Sequence, residues 1–225
     1  MPDSPILQPS VVRDYLRPLP TLVERFRNIP TTVLSDALGG LCVMHPSIVA
    51  RTVPHLCGIA DTVNLPAGDN LMLHRALELT QRGDVLVITA QGDTSRAVMG
   101  GLMTRLAIQR GVAGVIVDGA VRDASDMAEL EFPVFTRGLS ANAPDRARAG
   151  QVNLPIACGG VVVSPGDIMV ADADGIAVVP LQVAEQVLAR ATVLLEKEVL
   201  RTADIAAGRA PFPDVDDVLR GLDLP

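Results

Sequence analysis

Short β-branched segments alternate with helical segments through the middle of the chain, and this alternation limits the folds that the sequence can adopt. Apolar runs bounded by turn residues predict strands at 85–89, 112–117 and 134–137. Helices are predicted between the later strands, over about 101–110 and 123–131. Strands that alternate with helices pair in parallel through helical crossovers. The expected fold class is therefore α/β.

The two ends of this central region carry different patterns. Helices are predicted at 21–27 and 31–38, and Asp69 can cap a third helix that stops by Gly83. From Asn153 onward, short strands separated by tight turns at 164–167 and 172–175 predict antiparallel hairpins. The sheet is therefore expected to be mixed, and a long helix is expected at about 181–207.

The domain organisation follows from these elements. Five prolines in residues 1–20 predict an extended segment on the surface. Residues 21–207 are expected to form one domain, because neither a linker nor a repeat interrupts them. Residues 208–225 are expected to form a tail.

Composition narrows the classes of function. Apolar residues make up 48% of the chain but aromatic residues only 2%, so the core must be mainly aliphatic. The net charge is −7 and basic residues are not clustered, which disfavours a nucleic-acid partner. An apolar stretch of about 20 residues, as a membrane span needs, is absent, and so is a signal-peptide pattern; no membrane association and a cytoplasmic location are expected. The three cysteines lack metal-site spacing and are expected to be reduced.

The single lysine of the chain restricts the available chemistry. Lys197 lies between Glu196 and Glu198 in the predicted long helix. A lysine forms a Schiff base readily when its surroundings lower its pKa, and two flanking carboxylates favour the protonated form instead. An imine mechanism is therefore not expected.

A glycine pair suggests where a ligand binds. Gly100 and Gly101 open a predicted helix directly after a glycine-rich polar loop at 91–96. Glycines let a ligand approach the backbone, and the free N–H groups at a helix N-terminus attract anions such as a carboxylate. A close helix–sheet contact that requires small residues would explain the same pair.

Charged residues follow the next predicted strand. Arg122 can bind a carboxylate through two hydrogen bonds, Asp123 offers hard oxygen ligands for Mg²⁺ or Mn²⁺, and Asp126 lies one helical turn further on. Ligands of α/β proteins bind at the carboxyl ends of the strands, so these residues predict a chelating site for a small 2-oxo acid. The alternative is that Asp118 and Asp123 cap a turn and a helix, with Arg122 as their ion-pair partner.

The spacing of these residues resembles the motif of the RraA-like family, which includes the class II 4-hydroxy-4-methyl-2-oxoglutarate/4-carboxy-4-hydroxy-2-oxoadipate aldolases. That motif is a glycine, twenty residues, Arg-Asp, two residues and an acid; Gly101, Arg122, Asp123 and Asp126 match it. The resemblance covers roughly residues 31–201. It implies a single-domain β/β/α swivelling-domain sandwich that assembles as a homotrimer or homohexamer, with the active site near a subunit boundary.

The resemblance also implies roles for individual residues. The substrate-binding backbone amides would be those of Gly100, Gly101, Leu102 and Met103. Arg122 would bind the carboxylate of the 2-oxo acid and Asp123 would be the metal ligand, supported by Asp126. Glu198, or Glu196 two positions earlier, would reach the site of a neighbouring subunit and hold a catalytic water. A solvated helix face would explain either glutamate equally well.

The expected function is a divalent-metal-dependent aldolase that cleaves a 4-hydroxy-2-oxo acid to pyruvate and a second oxo acid, with oxaloacetate decarboxylation through the same enolate. The alternative from another class is an RraA-type regulator that binds an RNA-degrading endonuclease. As the resemblance has it, regulators lack the last acid of the motif, so Asp126 favours an enzyme. A metal-dependent enzyme acting on a different sugar-derived hydroxy-oxo acid is a third possibility, because the assigned residues recognise only the pyruvoyl half.

Overall fold

The computed structural model describes residues 10–209 and 214–222. The strands are β1 Ser10–Val11, β2 Val49–Ala50, β3 Leu56–Asn64, β4 Asp84–Thr89, β5 Ala97–Met99, β6 Gly114–Val121, β7 Val134–Leu139, β8 Gln151–Val152, β9 Ile156–Cys158, β10 Val161–Val163, β11 Ile168–Ala171 and β12 Ile176–Val179. The helices are α1 Pro20–Phe26, α2 Thr31–Leu38, α3 Leu71–Leu79, α4 Gly101–Arg110, α5 Ala124–Glu129, α6 Ala184–Ala206 and α7 Asp214–Gly221, with a 3₁₀ turn at Leu181–Val183.

A mixed ten-stranded sheet organises the molecule. At its centre β3, β4, β6 and β7 run parallel in that order. Four strands join it by antiparallel pairing: β8 and β11 pair with β3, β12 pairs with β11, and β2 pairs with β7. The remaining two pair in parallel, β1 with β8 and β5 with β6. The α/β class and the mixed sheet are thus confirmed. The parallel centre places the carboxyl ends of β4 and β6 at one edge, where the charged residues of the motif follow β6.

Helices cover the sheet through separate apolar clusters. Buried residues of α3, α4 and α5 pack on the central strands in one cluster. Those of α1, α2 and α6 pack against β3, β11 and β12 in another. A third cluster joins the central strands to β9 and β10, which form an antiparallel hairpin of their own. Aliphatic side chains dominate all three, as the scarcity of aromatic residues requires.

The sequence did not predict β3, although it is the longest strand. Eight of its nine residues are buried and it pairs with three neighbours. Gly58, Asp61 and Thr62 interrupt its apolar run, so the segment lacks the pattern of a buried strand. Gly58 is needed for packing, because a Cβ there would lie 2.4 Å from the carbonyl oxygen of Gly83.

The strand predicted at 112–117 was placed too early and ended too soon. In the structure β6 runs from Gly114 to Val121. Asp118, Gly119 and Ala120 have the composition of a turn, but pairing of Ala120 with Gly138 keeps the chain extended. Long-range pairing therefore overrides the local turn preference and moves Arg122 to the strand's end.

The N-terminal segment is anchored rather than loosely laid on the surface. After β1 it has no regular secondary structure up to α1; residues 1–9 of the extended segment predicted at 1–20 lie outside the described residues. Tyr15 donates a hydrogen bond to buried Asp61, and Arg17 donates to buried Asp84. Burial raises the pKa of Asp84 to about 6, and Arg17 opposes that rise.

The structure also describes the cysteines, the candidate membrane spans and part of the predicted C-terminal tail. Cys42, Cys57 and Cys158 are free thiols, as expected. Among the described helices, none is long and apolar enough to cross a membrane. The tail predicted at 208–225 contains α7, and its residues 210–213 and 223–225 lie outside the described part.

Candidate active site

The N-terminus of α4 forms one wall of the candidate site. β5 ends at Met99, Gly100 is extended, and α4 begins at Gly101. A Cβ on Gly100 would lie 2.6 Å from Asp123 Oδ2 and 2.9 Å from Arg122 Cγ, so a larger residue cannot be accommodated without a shift. The N–H groups of a helix's first turn have no partner within the helix and attract anions. Leu102 is 85% exposed, so the first turn of α4 is open to solvent.

Asp123 connects the end of β6 to this wall. Its backbone is left-handed, with φ 60°, and it precedes α5 as the N-cap residue without capping that helix through its side chain. The carboxylate instead crosses to α4, where Oδ2 accepts a hydrogen bond of 2.9 Å from the Gly101 N–H. Within the described residues Oδ1 has no hydrogen-bond partner, and the side chain is 45% exposed. One carboxylate oxygen is therefore fixed and the other is accessible.

Arg122 is positioned by its backbone. Its N–H donates to the carbonyl of Met99 at 3.0 Å, which ties the end of β6 to the end of β5. The guanidinium Nε lies 3.9 Å from Asp123 Oδ2, and the side chain is 39% exposed. This long contact leaves most of the guanidinium donors available to a ligand.

Asp126 lies beside the same helix start. A Cβ on Gly101 would be 3.3 Å from Asp126 Oδ2 and 3.6 Å from the Cβ of Asp123. The four residues matching the motif therefore converge, although more than twenty positions separate Gly101 from the acids. A residue with a Cβ at position 101 would contact the Asp126 carboxylate, which would have to move by a few tenths of an ångström.

Arg122, Asp123 and the start of α4 line a cleft of about 420 Å³, a volume that includes solvent at its mouth. Its lining comprises Asn70, Ala97, Val98, Met99, Gly100, Leu102, Met103, Arg122, Asp123, Pro144 and Arg146. Arg122 and Asp123 also line an adjoining depression, together with Leu139 and Ser140. The cleft combines an apolar lining with a few polar groups, as is usual for ligand sites.

The second wall of the cleft was not found by sequence reasoning. Asn70 is buried, and its Nδ2 donates to the carbonyl of Val98 at 2.9 Å. Its Oδ1 is buried and has no hydrogen-bond partner among the described residues. Arg146 is exposed and lines the cleft from a loop. The Gly68–Asp69–Asn70 segment belongs to the resemblance and could have directed attention to Asn70, whereas the sequence around Arg146 carries no such signal.

Asp69 holds the second wall together. It is fully buried, and Oδ1 accepts from the N–H of Leu71, which supports the predicted role at the start of α3 even though the N-cap residue is Asn70. Oδ2 accepts from the N–H groups of Ala147 and Arg148, both at 2.9 Å. Burial raises the pKa of Asp69, but these N–H donors and Arg148 outweigh it and leave the pKa below its usual value.

Asp118 does not belong to the cleft. Its Oδ1 accepts from Arg137 Nε at 2.6 Å and its Oδ2 from the Gly159 N–H at 2.8 Å. Both oxygens are used to join β6 to β7 and to the β9–β10 hairpin. Asp118 is structural, but not in the way the alternative predicted: it lies within β6 instead of capping a turn, and its ion-pair partner is Arg137 rather than Arg122. Asp123 faces the cleft.

Glu198 and Glu196 lie far along α6 and do not line the cleft of their own chain. Only residues up to Ala191 on that helix are fully buried, and the helix continues for four further turns with mostly exposed side chains. A glutamate there could act only in a neighbouring subunit, as the resemblance implies, and its role remains a prediction.

Metal binding would depend on few protein ligands. Within the described residues, groups of three or more His, Cys, Asp or Glu side chains that could hold a metal are absent. Mg²⁺ commonly uses one or two carboxylates and retains several waters, or binds substrate oxygens. The accessible Oδ1 of Asp123, with Asp126 nearby and two glycines leaving room at the wall, fits that type of site.

Comparison with known proteins agrees with this geometry. The family model that matches the chain is RraA-like, described as Aldolase/RraA, and it matches residues 31–178. The chain belongs to the RraA-like family. The matched span includes the residues of both walls of the cleft.

Individual family members share most of the chain. A protein of Halalkalibacterium halodurans named "Putative 4-hydroxy-4-methyl-2-oxoglutarate aldolase" is 42% identical over 75% of this chain and 81% of its own length. A structure of an uncharacterized protein from Pseudomonas syringae superposes with a TM-score of 0.77 at 28% identity, covering 88% of this chain and 98% of that chain. RraAS2 from Streptomyces coelicolor, titled an unusual member of the RNase ES inhibitor RraA family, has a TM-score of 0.75 at 27% identity, covering 83% and 99%. The family thus contains proteins named for catalysis and for inhibition.

Proposed function

We propose that this protein is a divalent-metal-dependent aldolase that cleaves a 4-hydroxy-2-oxo acid, such as 4-hydroxy-4-methyl-2-oxoglutarate, to pyruvate and a second oxo acid. The observation that carries the proposal is the convergence of Arg122, Asp123 and the first turn of α4 on one cleft. Such a cleft combines donors for a carboxylate with a hard oxygen ligand for a cation. The name of the Halalkalibacterium halodurans relative supports the same activity.

The carboxylate of the 2-oxo acid binds between α4 and Arg122. The backbone N–H groups of Leu102 and Met103 lie in the first turn of α4, where donors have no intrahelical acceptor. The guanidinium of Arg122 adds two parallel donors, which match the geometry of a carboxylate. The Gly101 N–H is already bonded to Asp123, so it fixes the metal ligand rather than the substrate.

Asp123 would hold a Mg²⁺ or Mn²⁺ ion through its accessible oxygen, and Asp126 would orient water around it. When bound, the ion would supply Lewis-acid stabilisation of negative charge at the 2-oxo oxygen. Arg122 contributes a second positive charge close to the same carboxylate end. Together these groups favour the enolate of pyruvate that forms when the C3–C4 bond breaks.

Proton transfer is assigned to a glutamate of a neighbouring subunit. Glu198, with Glu196 as the alternative, would hold a water that accepts the 4-hydroxyl proton and later protonates C3 of the enolate. This assignment requires a homotrimer or homohexamer. Lys197, which lies between these glutamates, does not form an imine in this mechanism.

Oxaloacetate is a second expected substrate. Loss of its C4 carboxylate as CO₂ leaves the same pyruvate enolate, so the groups that stabilise one reaction stabilise the other. Decarboxylation needs no base for a hydroxyl proton. A variant at the glutamate should therefore impair aldol cleavage more than decarboxylation.

An assay of pyruvate release tests the proposed function. The panel comprises several 4-hydroxy-2-oxo acids and oxaloacetate, each with chelator and with added Mg²⁺ or Mn²⁺. Pyruvate should appear only with metal, and borohydride reduction with pyruvate should leave Lys197 unmodified. Chelator-resistant turnover or an adduct on Lys197 would contradict the proposal. Binding to an RNA-degrading endonuclease without any turnover would instead support the regulator.

A further inference from the structure

The second wall of the cleft contains an arginine that the proposed mechanism does not use. Arg146 lines the same cleft as Arg122 and Asp123. Ion pairs occupy the other two arginines near this loop: Arg96 contacts Asp145 at 3.0 Å and Arg148 contacts Asp69 at 3.9 Å. Within residues 10–209 and 214–222, Arg146 has no carboxylate partner. Its charge is therefore available to a ligand.

The backbone on both sides of Arg146 is fixed. Asp145 accepts from the Asn70 N–H at 3.0 Å through its carbonyl and donates its own N–H to the carbonyl of Gly68 at 2.8 Å. On the other side, the N–H of Ala147 donates to the buried carboxylate of Asp69. An arginine held between two anchored neighbours loses less entropy when it binds a ligand, because its backbone is already ordered.

A buried acceptor lies in the same wall. Asn70 is 2% exposed, and its Oδ1 has no partner in the part of the chain that the structure describes, although its Nδ2 donates to the carbonyl of Val98. The bond to the Val98 carbonyl fixes the amide orientation, because the reversed amide would place two acceptors together. A buried unsatisfied acceptor costs stability unless a donor reaches it. The hydroxyl of a bound hydroxy-oxo acid is such a donor.

We propose that Arg146 determines specificity by binding the distal carboxylate of a dicarboxylic 2-oxo acid, whose 2-oxo carboxylate lies at α4 and Arg122. This assignment rests on the proposed function, and it supplies a binding residue for the half of the substrate that the motif residues do not contact. Asn70 Oδ1 accepts a hydrogen bond from the substrate between the two carboxylates. Arg146 is thus a binding residue for the part of the substrate that leaves as the second oxo acid.

Binding of two unreactive ligands tests this assignment. In the presence of Mg²⁺, isothermal titration calorimetry compares 2-oxoglutarate with 2-oxobutyrate, which differ by the distal carboxylate and cannot undergo aldol cleavage. The proteins are the wild type, Arg146→Gln and the control Arg105→Gln. Arg105 is exposed on α4 and does not line the cleft.

The wild type should bind 2-oxoglutarate more tightly, and Arg146→Gln should lower this preference roughly tenfold to a hundredfold, as the loss of a charge-assisted hydrogen bond predicts. Arg105→Gln should keep the wild-type preference. An unchanged preference in Arg146→Gln, an equal loss in Arg105→Gln, or a wild type that binds neither ligand would overturn the assignment. If the expected preferences occur but no compound in the panel yields pyruvate, the proposed function fails while the assignment of Arg146 stands.

Discussion

Asp118 and Asp123 stand five positions apart at the same end of β6, yet their surroundings differ completely. Asp118 is 8% exposed and both of its oxygens accept hydrogen bonds, one from Arg137 of β7 and the other from Gly159 of the β9–β10 hairpin. Asp123 makes fewer hydrogen bonds: one oxygen accepts from the Gly101 N–H, and the other is open to the cleft. The first carboxylate stabilises the fold, and the second is available for chemistry.

The backbone strengthens this contrast. Asp118 lies within β6, at a register shift in the pairing with β7, and its φ is not positive. Asp123 has a φ of 60°, which is uncommon for any residue other than glycine. Left-handed backbone at a non-glycine residue costs roughly 1–3 kcal/mol and is concentrated at functional sites. This unfavourable backbone conformation occurs at the position where the side chain turns from β6 towards α4.

The largest effect is expected from Asp123→Asn. Asparagine tolerates left-handed backbone and can still accept from the Gly101 N–H, so the fold should remain and the charge alone is removed. Turnover of both 4-hydroxy-2-oxo acids and oxaloacetate should fall about a thousandfold or more, since Lewis-acid stabilisation contributes several kcal/mol. Steady-state assays measure this loss of turnover. The free energy of unfolding, obtained from thermal unfolding without metal, should change by less than about 0.5 kcal/mol. Wild-type turnover would remove Asp123 from the metal site.

Arg122→Lys should have the next largest effect on activity. Lysine keeps the positive charge but cannot make the planar two-point contact with a carboxylate. A loss of kcat/KM of roughly tenfold to a hundredfold is expected for every substrate of the panel. The free energy of unfolding should be nearly unchanged, because only the 3.9 Å contact to Asp123 is disturbed. Near-normal kinetics would mean that Arg122 is merely the surface partner of Asp123.

Asp118→Asn is the matched change at the buried position and should act in the opposite way. The amide group can accept from only one of the two donors, so either Arg137 or the Gly159 N–H loses its partner. The free energy of unfolding should fall by about 1–3 kcal/mol, measured by chemical denaturation. The kcat of the folded fraction should remain close to the wild-type value. A large loss of kcat with unchanged stability would erase the distinction between the two carboxylates.

The sequence predicted one wall of the cleft and missed the other, and the reason is physical. Gly101, Arg122 and Asp123 lie in two segments whose glycines and charges have recognisable spacing. The wall with Asn70 and Arg146 depends on Asp69, whose carboxylate binds N–H groups 78 and 79 positions further along the chain. Such pairing leaves no local pattern.

The elements of the fold also divide into those that local sequence patterns predict and those that depend on distant parts of the chain. Amphipathic helices such as α2 were predicted with their observed bounds, Thr31–Leu38, because apolar periodicity and the following Gly39, which is left-handed at φ 70°, are local signals. The extent of β6 and the existence of β3 depend on neighbouring strands. Their polar and small residues are tolerated only because partners far along the chain satisfy the backbone.

Exchange of the methyl protons of pyruvate with deuterated solvent tests the central claim most directly, because it observes enolate formation without requiring the full substrate. Proton NMR would follow the methyl signal with wild-type protein, with Asp123→Asn and with Asp118→Asn, each with Mg²⁺ and with chelator. The account predicts enzyme-dependent exchange in the wild type and in Asp118→Asn, lost with chelator, and exchange no faster than background in Asp123→Asn. Equal exchange in Asp123→Asn and the wild type, or exchange that persists with chelator, would contradict a metal-assisted enolate at this cleft.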